Sequence, residues 1–239
     1  MRLDRLISQA AGLTRNEARK LIRSGQVTVN LQICWDTGAQ TEESSQIKIN
    51  NMTLDTRLDC HVMMNKPLDV LTAARDSHQK TVMDLLPLRF QKIRCMPVGR
   101  LDKDSAGLLL FTTDGNLSHR LLSPQRKIMK EYHALVSGKL DKASQNAFST
   151  GIRLKDFTAL PAELVIIRSG DRDSEALVRL HEGKHRQVRR IFQSLGHEVK
   201  ALSRLAFGPI RLDASLPPGS WRELRPEEFD LLKEAAGLG

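Results

Sequence analysis

The sequence predicts a mixed α/β (α+β) protein made of a small N-terminal unit and a larger C-terminal one. Three observations carry this. The 239 residues suffice for one large or two small domains with a real core. A polar seam, TEESSQIKINNMTLDTRLD, interrupts the chain near residues 40–60. Beyond it, segments with strand-like alternation and segments with helical i, i+3, i+4 spacing take turns.

In the N-terminal unit, Thr14 followed by Glu17 three residues later is a capping box. Ala18, Leu21 and Ile22 form the buried face of the helix it opens, and Gly25 stops that helix. Ile47 and Ile49 alternate as a short terminal strand, and Met52–Asp59 reads as a linker. The expected units are residues 1–58 and residues 59–239, the second opening on an apolar strand at His61–Met64.

Lys and Arg number 37 against 28 Asp and Glu, a formal charge of +9 that suits a polyanionic partner. Aromatics make up only 4%, with Tyr132 the sole tyrosine, which argues against a surface that stacks many bases. Cys34, Cys60 and Cys95 form no CxxC or Cys/His cluster, so they read as reduced thiols of a cytoplasmic protein rather than a zinc site. The N-terminus is charged at Arg2, Asp4 and Arg5 and lacks a signal-peptide core. The longest apolar run, Ala106–Phe111, falls far short of the roughly 20 residues that span a membrane. With no Walker loop, dinucleotide fingerprint or metal spacing, the chemistry is expected to need neither cofactor nor metal. No feature points to an oligomer, so a monomer is expected.

Residues 1–25 hold six basic residues against Asp4 and Glu17. Arg15, Arg19 and Arg23 recur every four residues with Lys20 beside them, one exposed stripe on the capped helix. Charge alone would also fit an ordinary solvated face. The string RLDRLISQAAGLTRNEARKLIRSGQVTVN adds an order of helix, basic helix, strand and turn. It resembles the small RNA-binding domain of the ribosomal-protein-S-four type over roughly residues 1–50. The resemblance implies that Arg15, Arg19, Lys20 and Arg23 hold RNA phosphates. Leu31 departs from it, standing where glycine usually follows the asparagine. The turn is expected to survive with some strain.

MPVGRLDKDSAGLLLFTTDG is the most informative segment. Pro97–Arg100 reads as extended, Leu101–Gly107 as a tight polar loop and Leu108–Thr113 as a buried strand. Asp114-Gly115 marks a turn, and Leu117, Leu121 and Leu122 share a face of the following helix. Asp102 and Asp104 thus sit in a loop between core segments, flanked by Arg100 and Lys103.

The full string resembles the signature of the pseudouridine synthases, in their RsuA-type branch, where the aspartate of GRLD is the catalytic carboxylate. Here that is Asp102. Three further motifs match in order: Asn65-Lys66-Pro67, Lys130-Glu131-Tyr132 and EGKHRQVRRIFQSLGHEV. The resemblance covers nearly the whole chain. It implies a catalytic domain with a mixed, mainly antiparallel sheet, and a reaction on a flipped uridine. Its catalytic set is Asp102, Tyr132 and Arg189, and its substrate ribosomal RNA or a pre-ribosomal particle. The string LSRLAFGPIRLDASLPPGSWREL is more like members acting on 16S rRNA, the favoured target. RQVRR is more like those acting on 23S rRNA. A non-catalytic rRNA-binding assembly factor is the rival from another class, and the intact Asp102, Tyr132 and Arg189 set argues against it.

The residues fit these roles. In KEYHALV, Tyr132, Ala134 and Val136 share one sheet face, where the ring could pack under a uracil. Val188, Ile191, Phe192 and Leu195 form the apolar stripe of a helix. Arg189 falls roughly 110° from its centre, at the border of core and solvent. An Asp102–Arg189 pair is expected to keep the carboxylate ionised. Arg186 and Arg190 project from the far side and, with Lys184 and Arg100, are expected to contact RNA. His119, His181 and His197 show no catalytic arrangement, and Trp221 reads as packing.

Overall fold

The structure is a computed structural model that describes residues 1–42 and 45–239. Glu43 and Ser44 of the polar seam lie outside the described residues. The N-terminal unit holds α1 (Leu3–Ala10), α2 (Arg15–Arg23), β1 (Val27–Val29), β2 (Gln32–Ile33), β3 (Ile47–Ile49) and β4 (Met52–Thr53). The four strands form an antiparallel sheet in the order β2-β1-β3-β4. Leu3, Ile7, Ala18, Ile22, Val27 and Ile47 are its core.

Thr14 and Glu17 form the reciprocal capping box, and Gly25 follows α2 at φ +70°. The β1–β2 turn puts both Asn30 and Leu31 at positive φ, +50° and +70°. A two-residue hairpin demands this, because only a primed turn matches the twist of its strands. The turn therefore survives without glycine, with Leu31 turned out to solvent. Met52 and Thr53 pair with β3, so the expected linker loses its first two residues to a hairpin. The reason is the same: Asn50 and Asn51 both take positive φ and reverse the chain.

Asp4 is the buried anchor of this unit, with no exposed surface. Arg15 reaches it at 2.7 Å, Arg19 at 2.9 Å and Arg2 at 3.3 Å. Burial pushes the Asp4 carboxyl up, but hydrogen bonds from Arg15, Arg2 and Arg19 outweigh it and hold the group well below the carboxylate range. The basic stripe is thus not wholly free. Arg15 and Arg19 bend inward, because a buried carboxylate costs more than two surface charges gain from water. Lys20 and Arg23 remain exposed without an ion pair among the described residues.

The larger unit runs β5 (His61–Lys66), a 3-10 turn at Val82–Leu85, α3 (Leu88–Lys92), β6 (Met96–Pro97), β7 (Ala106–Thr112), α4 (Gly115–Leu122) and β8 (Lys130–Ser137). It continues with α5 (Lys142–Thr150), β9 (Ile152–Arg153), β10 (Thr158–Ala159), β11 (Glu163–Arg168) and β12 (Asp173–Leu180). Then come α6 (Gln187–Ser194), β13 (Val199–Phe207), β14 (Ile210–Arg211), β15 (Trp221–Glu223) and α7 (Pro226–Ala236). The central sheet follows the order β11-β12-β8-β13-β7-β5-β15, with β6 on β7 and β14 on β13. Only the β13–β7 pair is parallel, so the sheet is mixed and mainly antiparallel as expected.

Both faces of β7 are covered, which is why it reads as a continuous apolar run. Leu109 and Phe111 pack with Val62, Met64 and Phe90. Leu108 and Leu110 pack with Leu117 of α4 and Leu232 of α7. Asp114 caps α4 by accepting from the Leu117 N–H at 2.9 Å. Leu122, expected on the buried face, is exposed, since the helix ends there. Trp221 packs edge-on against Phe90 at 5.1 Å between centroids, the packing role expected of it. Cys60 and Cys95 are buried free thiols, and Cys34 is half-buried. Among the described residues no helix is long and apolar enough to cross a membrane.

One transverse row crosses the sheet. Lys66 of β5 lies opposite Gly107, Gly107 opposite Arg204, Arg204 opposite Tyr132, and Tyr132 opposite Val178. Gly107 takes φ +100°, and a Cβ there would stand 2.3 Å from the Arg204 carbonyl oxygen. Gly107→Ala is expected to cost about 3 kcal/mol in urea unfolding, because backbone rather than a pliable side chain must give way. Asp4→Asn is expected to cost about 2 kcal/mol, below a fully buried pair because the arginines are half exposed. Since the folded carboxyl is held below its ordinary value of 3.8, the stability Asp4 contributes is complete above that pH and lost as pH falls below about 4. The variant should lack this part of the acid transition.

Candidate active site

The loop that carries Asp102 enters β7 one residue before the transverse row, and its backbone is fastened from several sides. Lys66 is fully buried, and its Nζ donates to the carbonyl oxygens of Pro67 and Ser105, both at 2.9 Å. The Asp69 N–H donates to the Lys103 carbonyl at 2.9 Å. The Thr72 hydroxyl donates to the Leu101 carbonyl at 2.7 Å and accepts from the Leu101 N–H at 3.2 Å. Arg189 of α6 donates through Nη2 to the Asp104 carbonyl at 2.6 Å. These bonds hold the loop's main chain in one conformation.

The Asp102 carboxylate, by contrast, accepts no hydrogen bond among the described residues. It is partly exposed and lines a cavity of about 230 Å³. Arg100, Leu101 and Ser105 from the same loop, Tyr132 from β8 and the segment Glu182–Val188 line it too. The nearest cation is Arg186, whose Nη1 lies 3.9 Å away. Ser105 is buried, and its hydroxyl has no partner.

The expected Asp102–Arg189 pair does not form. Arg189 stands at the core border as its helical angle requires, but its Nη1 donates to the Val199 carbonyl at 2.8 Å, and its Nε lies 3.2 Å from Asp104. Burial pushes the Arg189 guanidinium down from its ordinary value. The arginine thus ties α6 and β13 to the loop's backbone, and Asp104, two residues on, takes the guanidinium that Asp102 was expected to hold.

Arg186 and Arg190 are likewise engaged. Arg186 precedes α6 in a left-handed conformation at φ +50° and clamps both Asp104 oxygens at 2.9 and 2.6 Å. Hydrogen bonds from Arg186 hold Asp104 below the usual carboxylate range. Arg190 pairs with Asp156 and lies over the Phe157 ring, 4.9 Å from its centroid. A 3.6-residue projection locates these arginines on the helix but says nothing of the carboxylates that neighbouring loops bring to them. Lys184 and Arg100 are exposed at the cavity mouth, with no ion pair among the described residues. His197 donates through Nδ1 to the Ser137 carbonyl and His181 through Nδ1 to the Lys127 carbonyl, both structural contacts.

Several residues escaped the sequence reading. Lys66 lay in a singled-out motif, but its burial could not be read from NKP alone. Its neighbours matter: burial pushes the ammonium down to about 8, against the opposing pull of Asp102, Asp104 and Asp69. Lys130 is buried beside His181, and Arg204 is buried in the middle of β13, where SRLAF reads as an ordinary strand. No His, Cys, Asp and Glu cluster able to hold a metal occurs among the described residues.

Between pH 8 and the ordinary lysine value of 10.5, the unfolded chain keeps a proton that the folded Lys66 releases. Stability from this group therefore rises with pH across that window. Relative to Lys66→Met, the wild type should gain about 3 kcal/mol from pH 8 to above 10.5 in parallel urea titrations. A constant difference between the two proteins would refute this.

The model of the RNA pseudouridylate synthase family matches residues 60–194, and that of the S4 domain matches residues 1–40. The chain is 34% identical to YtzG, an uncharacterised RNA pseudouridine synthase of Bacillus subtilis, over 98% of this chain and 99% of that protein. It is 35% identical to the ribosomal small subunit pseudouridine synthase A of Vibrio vulnificus, over 96% of this chain and 98% of that one. It is 34% identical to the ribosomal large subunit pseudouridine synthase B of Bacillus subtilis, over 100% and 98%. A crystal structure of a pseudouridylate synthase superposes with a TM-score of 0.66 at 31% identity, covering 97% of this chain and 99% of the other.

Proposed function

This chain belongs to the RNA pseudouridylate synthase family, and from that premise we propose that it isomerises a uridine of ribosomal RNA in the Asp102–Tyr132 cavity. Residues 1–58 dock the RNA, and residues 59–239 carry the reaction. The observation that carries the reading is a single carboxylate, Asp102, left unbonded on a rigid loop that opens into a cavity beside Tyr132.

The chemistry is an isomerisation. The N1–C1′ bond breaks, the uracil turns in place, C5 bonds to C1′, and the C5 proton leaves while N1 gains one. Asp102 serves as nucleophile at C1′ or as the base that takes the 2′ hydrogen. The two routes differ in whether that hydrogen exchanges with solvent. Tyr132 packs against the base and keeps water from it. Arg186 stands 3.9 Å from the Asp102 carboxylate without a hydrogen bond to its oxygens. Arg189 acts as a positioning residue, through the Asp104 carbonyl.

Affinity comes from cations that face water. Lys20 and Arg23 of α2 are the docking charges on the N-terminal unit, and Lys184 and Arg100 those at the cavity mouth. Arg15, Arg19, Arg186 and Arg190 contribute mainly by holding this scaffold, through Asp4, Asp104 and Asp156. We take 16S rRNA as the first target, because the string from Leu202 to Leu224 reads as the small-subunit type. The large subunit is the second reading, which RQVRR favours.

Pseudouridines are to be mapped in both rRNAs of a strain lacking the gene, complemented with wild type or Asp102→Asn. One site should vanish on deletion, return with wild type and stay absent with the variant. Its position names the RNA. An unchanged map sinks the assignment.

A further inference from the structure

A second cavity, of about 670 Å³, adjoins the first. The two share Arg100, Tyr132, Leu180 and the segment Glu182–Lys184, so Tyr132 stands between them. The volume lies in the range of roughly 300–1,000 Å³ that small ligands fill. The walls are apolar at Leu122, Leu160, Leu180 and Phe207.

Its lining holds two buried cations without an anion. Lys130 and Arg204 are 9% and 3% exposed, and neither makes an ion pair among the described residues. Both lie over the Phe207 ring, 5.5 and 5.3 Å from its centroid. Lys130 donates to the His181 carbonyl at 3.1 Å and Arg204 to the Leu108 carbonyl at 2.8 Å. The Arg204 Nη2 is buried with no partner at all. Lys127, Arg100 and Lys184 add three more cations around the cavity. The one carboxylate there, Glu182, is already taken by the Leu160 N–H at 2.8 Å and Gln187 at 2.7 Å. Burying two like charges side by side without a counter-ion is costly, so a site that keeps them is built for an incoming anion.

We propose that this cavity is a second nucleotide subsite: it takes an unstacked nucleotide next to the target uridine, its phosphate held by Lys130 and Arg204 and its base against Leu122 and Leu160. The inference rests on the reading of the Asp102 cavity as the uridine site. Two nucleotides joined by one phosphodiester would then straddle Tyr132, and recognition of the flanking nucleotide would help draw the target out of its stack.

The test uses the full chain and rRNA transcripts carrying tritium at C5 of uridine, which passes to water when C5 bonds to C1′. Lys130→Met and Arg204→Met should each weaken RNA binding about tenfold in filter assays. Each should also lower the slope of log affinity against log salt by about 0.7, the single-strand value for one phosphate contact. A merely structural role would not move that slope. Thermal melting confirms that each variant is folded. Should Arg204→Met fail to fold, Lys130→Met carries the test, since its ammonium makes a single hydrogen bond. Lys142→Gln, outside both cavities, serves as the control and should bind like wild type. Wild-type affinity and slope in the folded variants overturn the subsite. Tight binding of inorganic phosphate alone, lost in the variants while RNA affinity holds, overturns its reading as a nucleotide site. No tritium release by wild type overturns the isomerase reading instead, and reduced slopes would then still support the phosphate contacts.

Discussion

The row Lys66–Gly107–Arg204–Tyr132 is the constraint on which the rest of the molecule depends. It lies where the one parallel strand pair meets its antiparallel neighbours. A parallel contact lets the start of β7 lie beside the middle of β13, and so brings the loop before β7 next to β8. Only a residue without a side chain fits at the crossing, where the Arg204 backbone passes within contact distance of Gly107. Asp102 is close to Tyr132 because of that pairing, although 30 positions separate them in sequence.

Around this row the charges divide into two populations. Arg15 and Arg19 turn in to Asp4, Arg186 and Arg189 to Asp104, and Arg190 to Asp156. These pairs fasten helices to loops. Lys20, Arg23, Arg100 and Lys184 are exposed and make no ion pair among the described residues. A net charge of +9 is therefore a poor measure of the binding surface. The arrangement at the loop follows the same economy. Asp104 absorbs the arginines, so the Asp102 oxygens stay uncovered nearby. A direct bidentate pair would have occupied both Asp102 oxygens.

The fold was largely legible because its signals are local. The Thr14–Glu17 box, the apolar run of β7 and the stripe of α6 depend on neighbours within a few residues, whereas Asp114-Gly115, read as a turn, is the cap and first residue of α4. The ordered motifs also placed Asp102 and Tyr132 at one site. What failed was partner choice. Helical geometry put Arg189 at the edge of the core, yet whether it met Asp102 or Asp104 turned on a loop 85 residues away. The hairpin at Asn50-Asn51 was missed for a different reason: asparagine tolerates positive φ without requiring it.

By itself, then, the sequence determined the mixed fold class and the buried faces of α2, α6 and β7, and it singled out Asp102 as the candidate carboxylate. Those follow from periodicity, caps and motif, which read along the chain. Only the tertiary structure decided which cations are spent inside, that Lys66, Lys130 and Arg204 are buried, and that two cavities meet at Tyr132. Burial and ion pairing arise from surfaces brought together across the sheet. The free energy of a charge depends on the water removed from it and the counter-charge supplied, and neither is a property of its own segment.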